Sequence, residues 1–223
     1  MKIDLHVHSK HSRRPSEWIL QKLGSPESFT EPMHLYRVAK QRGMSRVTIT
    51  DHNAIDGCLE IGEMPDTFVS EEVTTYFPED GCKLHVVVYH IDEMQHREIQ
   101  RVRDNVYDLI AYLKGQKVVH VLAHPLYSVN NRLTIEHLEK TLLLFKNFEL
   151  NAARSRDQNQ SLRLLLGNLT PEVLDELANK HDMEPTHQEP WKKNLTGGSD
   201  DHSSLTIARR CTHVPGAANV EEF

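Results

Sequence analysis

Histidine, aspartate and glutamate recur at six short stretches of the chain in combinations suited to divalent metals. They are His6-Val7-His8, Asp51-His52, Glu71-Glu72, His85, His124-Pro125 and Asp200-Asp201-His202. A His-x-His on a strand turns both imidazoles to one face, about 7 Å apart along the strand, so both reach a single ion. Carboxylates joined to imidazoles favour Zn, Mn or Fe over Ca or Mg. A carboxylate such as Glu72 also bridges two ions, which an imidazole does not. Glu71 and Glu72 point to opposite faces, so only one of them enters such a site. None of the 3 cysteines falls among these groups, which argues for a catalytic rather than a structural metal site. Two close ions lower the pKa of a shared water towards neutrality and take up charge in a transition state. The chemistry expected is therefore hydrolysis by a metal-activated hydroxide. No Gly-x-Ser-x-Gly or comparable nucleophile motif competes with it.

Any one of these histidines alone reads as a packed or solvated residue; their placement changes the reading. Apolar runs at 2–7, 46–50, 67–73, 84–89, 118–123, 148–151 and 195–199 read as strands, and the candidate ligands sit at their ends. His85 is the exception. It stands near the start of its run, so that strand runs against its neighbour or begins close to the site. Glu149 and Asn151, on the sixth run, are less telling. Helical patterns occupy 16–23, 32–42, 91–114, 134–145, 158–166 and 170–181. Pro32 suits a first helical position, Gly43 the residue after the end, and Thr134 a cap. Strands alternating with helices predict a parallel sheet with right-handed crossovers. Seven strands fit a closed or nearly closed α/β barrel, and an open doubly wound sheet is the alternative. In such barrels the chemistry lies at the C-terminal ends of the strands. His120 shares a face with His124 but lies deeper, as a buried, hydrogen-bonded histidine. His34, His90, His96, His137, His181, His187 and His213 read as surface residues.

The chain of 223 residues is long enough for one sizeable core, and residues 1–223 read as a single domain. Lys and Arg total 26 against 32 Asp and Glu, a net charge of −6, which disfavours an extended nucleic-acid surface. Cys58, Cys82 and Cys211 are odd in number and lack CxxC spacing, as expected of reduced thiols in a cytoplasmic protein. No apolar run is long enough to cross a membrane. Oligomeric state is not legible.

In this order the motifs resemble those of the PHP domain, the polymerase and histidinol phosphatase family of metal-dependent phosphoesterases. The matching segments are Asp4-Leu5-His6-Val7-His8-Ser9, Thr48-Ile49-Thr50-Asp51-His52 and Ser70-Glu71-Glu72-Val73. They continue with His85, Leu122-Ala123-His124-Pro125 and Gly198-Ser199-Asp200-Asp201-His202. The resemblance implies a distorted seven-stranded β/α barrel and two or three divalent ions (Mn, Zn or Fe). It implies that His6, His8, Glu72 and Asp200 hold one ion and that Glu72 bridges to a second held by His85 and His124. His52 and His202 would face a third. Family members with three ions carry another His or Asp about six residues after the His-x-His; here that place holds Arg14, with His11 and Arg13 nearby.

Asp51 or Asp201 would orient a ligand imidazole, as such ligands usually require. Arg13 and Arg14, directly after the metal motif, and Arg154, past the sixth strand, are candidate phosphate contacts, because guanidinium matches phosphate oxygens in pairs; Arg156 shares that position. Arg14 is also a candidate catalytic residue. The substrate expected is a small phosphorylated molecule. Two other functions remain open: a metal-binding accessory domain without turnover, and a related amidohydrolase-like enzyme cleaving a non-phosphate bond. Residues 219–223 read as the first turn of a helix, with Asn219 as cap, which one turn cannot sustain. The chain is therefore expected to continue beyond Phe223.

Overall fold

The computed structural model describes residues 1–13, 22 and 27–217. Arg14, all but Lys22 of the helix expected at 16–23, and the helical turn expected at 219–223 lie outside them. The elements in chain order are β1 (Lys2–Ile3), α1 (Pro32–Gln41), α2 (Asp56–Glu60), β2 (Ser70–Tyr76), β3 (Lys83–Tyr89), α3 (Glu93–Val102) and α4 (Val106–Gly115). There follow β4 (Val119–Leu122), α5 (Ile135–Leu144), β5 (Asn147–Asn151), α6 (Arg156–Gly167), α7 (Pro171–His181), β6 (Asn194–Gly198) and β7 (Thr212–His213).

Two sheets form, one of five strands in the order β2-β3-β4-β5-β6 and one pairing β1 with β7. The five-stranded sheet is mixed rather than parallel throughout, and the exception is β3, the run whose early His85 marks it in the sequence as running against its neighbour or beginning close to the site. β3 runs antiparallel to β2 and β4, while β4, β5 and β6 are parallel. The cause is local. A tight turn joins β2 to β3, closed by Gly81 N–H donating to Phe77 O at 2.8 Å and Phe77 N–H to Cys82 O at 2.9 Å. No crossover helix intervenes, so only an antiparallel pair can form.

The runs expected as strands at 2–7 and 46–50 are mostly irregular. They pair through isolated parallel bridges, Val7 with Asp201, Val47 with Thr67 and His52 with Glu72. Side chains take over donors that a ladder would use. Val7 N–H donates to Thr50 Oγ1 at 3.0 Å, and Ser199 N–H to Asp4 Oδ1 at 2.8 Å.

The single helix expected at 91–114 is two. Asn105 leaves helical geometry (φ −127°, ψ 117°) and accepts from Tyr107 N–H at 2.9 Å, capping α4. The other start signals hold. Pro32 opens α1, Gly43 follows it at φ 82°, and Thr134 caps α5 by accepting from His137 N–H at 3.3 Å. The largest apolar cluster fills the space between the sheet and α3 to α7, with Phe77, Leu109, Leu113, Phe145 and Phe148 fully buried. No helix among the described residues is long and apolar enough to cross a membrane.

Candidate metal centre

Val7 packs with Leu35 and Ile49 in a second apolar cluster, and the alternation of an extended chain turns His6 and His8 the other way. The bridge from His52 to Glu72 and the pairing of Val86 with Leu122 then bring strand ends from four parts of the chain to one place. Because β3 is antiparallel, His85 at its start lies beside the end of β4, where Ala123 N–H donates to His85 O at 3.0 Å.

Glu72 stands at the centre, fully buried, and its two oxygens face different histidines. Oε2 lies 3.2 Å from His6 Nε2, 3.2 Å from His8 Nε2 and 3.0 Å from His52 Nδ1. Oε1 lies 3.0 Å from His85 Nδ1 and 3.2 Å from His124 Nε2. Asp200 Oδ1 closes the first side, 3.6 Å from His6 Nε2 and 3.5 Å from His8 Nε2. His202 stacks on His8 with ring centres 4.1 Å apart. All eight residues expected as ligands therefore converge. Glu71 is buried too but points away from the cluster, to His96 at 2.9 Å and Gln100 at 2.8 Å on α3.

The donor set fits divalent ions on its own geometry. Glu72 Oε2, His52 Nδ1 and His202 Nε2 are buried atoms with no well-formed hydrogen bond, and such atoms are costly unless something else satisfies them. His6 Nε2 and His8 Nε2 face each other at 3.1 Å, where an ion or a single proton is required between two lone pairs. His124 (φ 30°) and Asp200 (φ 52°) both adopt the left-handed backbone that favours glycine, at about 1 kcal/mol or more each. Strain of this kind gathers at functional sites.

Electrostatics point the same way. Burial would raise Glu72, but His6, His52 and His85 hold it well below the usual carboxylate range. Burial would raise Asp200 too, and His6, His8 and His124 hold it well below. Burial disfavours charge on His6, yet Glu149, Glu72 and Asp200 push it well above its ordinary value. His8 is raised to about 9 against its burial, by Asp200 and Glu72. Burial pushes His85 and His202 down to about 4. The cluster thus keeps its carboxylates ionised and attracts positive charge.

Several supporting residues escape a reading of the sequence. Glu149 accepts from His6 Nδ1 at 2.8 Å, and its other oxygen takes His124 N–H and Asn151 Nδ2, each at 3.0 Å. Asn151 also donates to Asp200 Oδ2 at 3.0 Å. The available signal was alternation: Glu149 and Asn151 share a face between buried Phe148 and Leu150. Gly198 is required here, since a Cβ would come within 2.3 Å of His6 Cβ and 2.5 Å of Glu149 Oε1. Ser12 Oγ lies 2.9 Å from His8 Nδ1 and 2.8 Å from Asp51 Oδ1, and accepts from His52 N–H at 3.2 Å. Its one proton goes to the carboxylate, so His8 donates from Nδ1 and presents a bare Nε2 to the cluster.

Asp51 therefore acts on an imidazole only through Ser12, and also holds Ser9 through N–H and Oγ at 2.7 and 2.6 Å. Asp201 is not among the converging side chains. Its Oδ1 gathers Ser203 and Thr206 and so shapes the following loop. Arg154 stands at the edge of the cluster, its guanidinium 3.7 Å above the Tyr127 ring and 3.4 Å from Asp200 Oδ2. Arg13 and Arg156 are exposed. His11 turns to Glu60 at 2.7 Å. His120 is half-buried and bonds Val118 O at 2.8 Å.

No family model matches the chain. An uncharacterized protein of Methanocaldococcus jannaschii is 42% identical over 73 residues, which cover 33% of this chain and 41% of that protein's length. Solved structures are similar over most of the chain at low identity. An amidohydrolase from Chromobacterium violaceum, with sulfate bound and no metal, superposes with a TM-score of 0.60 at 14% identity, covering 96% of this chain and 92% of that one. A protein of Bifidobacterium adolescentis described as a candidate metal-dependent phosphoesterase gives 0.52 at 17% identity, over 90% and 87%. A two-domain Bacteroides vulgatus protein with a PHP-like phosphoesterase part gives 0.50 at 15% identity, over 92% of this chain and 53% of that one. At these identities what is shared is the fold, a mixed α/β arrangement common to PHP-like and amidohydrolase proteins.

Proposed function

We propose that this chain is a PHP-like hydrolase that cleaves phosphoesters with two or three divalent ions. The observation that carries this reading is the division of Glu72, with His6, His8 and His52 around one oxygen and His85 and His124 around the other, while Asp200 faces His6 and His8 on the first side. A buried carboxylate between two sets of imidazoles is what a pair of adjacent ions needs. The isolated bridges at Val7, Val47 and His52 support a further step, that these segments complete the five-stranded sheet as a distorted seven-stranded barrel.

His6, His8, Glu72 and Asp200 would hold the first ion, and Glu72, His85 and His124 the second. When bound, two such ions supply Lewis acidity and a water acidified towards neutral pH. The chain's own residues do the rest. Glu149 and Ser12 fix the tautomers of His6 and His8, so that each presents a lone pair inward. Arg154, held flat by Tyr127, offers its donors to the phosphoryl oxygens beside Asp200. A small phosphorylated substrate fits a cationic contact confined to one edge of a chain of net charge −6.

Cleavage of a non-phosphate bond is the rival, since the amidohydrolase fold is shared; Arg154 beside the cluster favours phosphate. The test is a panel of phosphomonoester, phosphodiester and amide substrates with manganese-reconstituted protein. Turnover of a phosphoester, lost in a folded His6→Ala/His8→Ala double variant, is expected. Turnover of the amide alone would move the reading to the rival, and none at all to an accessory metal-binding domain.

A further inference from the structure

The chain returns to the cluster at Glu27. Backbone and hydroxyl contacts stitch this return to the loop after His8. Glu27 N–H donates to Ser12 O at 3.1 Å, Ser28 Oγ to His8 O at 3.2 Å, and Lys10 N–H to Thr30 O at 2.8 Å. The anchoring sets the Glu27 carboxylate between two imidazoles. Oε2 lies 3.2 Å from His52 Nε2, and Oε1 lies 3.9 Å from His202 Nε2.

The contact to His52 is a direct pairing in the metal-free protein, whereas the spacing to His202 suits a shared cation. At 3.9 Å the His202 contact is too long for a hydrogen bond, and His202 Nε2 has no other. Two donors about 2.1 Å from one tetrahedral ion stand roughly 3.4 Å apart, between the two distances found. His8 is not available as the third donor, because Ser12 takes its Nδ1 and its Nε2 faces Glu72. His11 is engaged with Glu60.

We propose that Glu27, His52 and His202 form a third divalent cation site, with Glu27 supplying the carboxylate from the returning segment rather than from the position of Arg14. The proposal rests on reading the Glu72 cluster as a metal centre. Two imidazoles and one carboxylate suit zinc or manganese. Such a site leaves an open position for a substrate oxygen.

The test is metal content after stripping the full chain with chelator and reloading it with zinc, read by elemental analysis. The wild type is expected to hold three equivalents. Glu27→Gln and, as a second variant, His202→Gln are each expected to hold two, with an unchanged circular dichroism spectrum. Three equivalents in a folded Glu27→Gln variant, or loss of all of them, would overturn the assignment of Glu27. A wild type holding two or fewer would overturn the third site. A wild type holding less than one would overturn the metal centre itself, which separates that failure from the failure of Glu27.

Discussion

Glu149 Oε1 accepts from His6 Nδ1 at 2.8 Å, and both side chains are buried. Burial would raise Glu149, but His6 and His124 keep its pKa low, so it meets the imidazole as a carboxylate. A carboxylate behind a ligand imidazole fixes the ring and strengthens it as a donor. Glu149→Gln keeps the shape and removes the charge. It is expected to weaken metal binding about 10- to 100-fold, measured by competition with a chromogenic chelator. Binding as tight as wild type would remove Glu149 from this role.

Ser12 does for His8 what Glu149 does for His6, through a neutral relay to Asp51. In Ser12→Ala the His8 Nδ1 loses its partner, while Ser9 still holds Asp51. A net hydrogen bond contributes about 1 kcal/mol, so a roughly fivefold loss of affinity is expected at the first ion. An Asp51→Asn variant should resemble it. If Ser12→Ala retained full affinity, the tautomer of His8 would be set by something else.

Arg154 is the contact expected to distinguish phosphate from other substrates. Arg154→Ala should raise KM for a phosphoester about tenfold or more, since a charged hydrogen bond contributes about 1.5–3 kcal/mol. Arg154→Lys should not restore it, because an ammonium lacks the planar fork that lies on Tyr127. Steady-state kinetics of the three proteins decide the matter; an unchanged KM in both variants would exclude the contact.

Metal binding should tighten as pH rises. In the metal-free protein His6 is raised well above its ordinary value and His8 to about 9, so the facing pair holds a proton between its Nε2 atoms at neutral pH. A cation must displace it, and binding releases a proton. Affinity is therefore expected to climb with pH up to about 9. Calorimetry in two buffers of different ionisation enthalpy should show at least one proton released per first ion. Equal enthalpies in both buffers would contradict this protonation state.

Much of the centre was legible because ligands sit at the ends of apolar runs, where period-two alternation fixes the face each side chain takes. His6 and His8 share a face for that reason, and Glu71 and Glu72 do not, so only one of the two turns inward; that it is Glu72 followed from the resemblance, not from alternation. Glu27 was not legible. Its place depends on hydrogen bonds that run from Ser28 Oγ to His8 O and from Lys10 N–H to Thr30 O, which no local pattern encodes. Glu149 looked ordinary because a lone carboxylate on a strand shows its partner, His6, only when distant strands meet. The wholly parallel sheet fails at β3, the run that His85 at its start had marked as running against its neighbour or beginning close to the site; a tight turn at Gly81 stands there in place of a crossover. Strands at 2–7 and 46–50 were overestimated because Thr50 and Asp4 side chains take backbone donors that a regular ladder would use.

The most direct measurement is the metal content of the purified chain after reconstitution, by elemental analysis against protein concentration. Two or more divalent ions per chain are expected, and the two that share Glu72 should be lost together in a folded Glu72→Gln variant, because both lean on that carboxylate. Less than one ion per chain, or a Glu72→Gln variant that keeps them all, would contradict a metal centre built around Glu72.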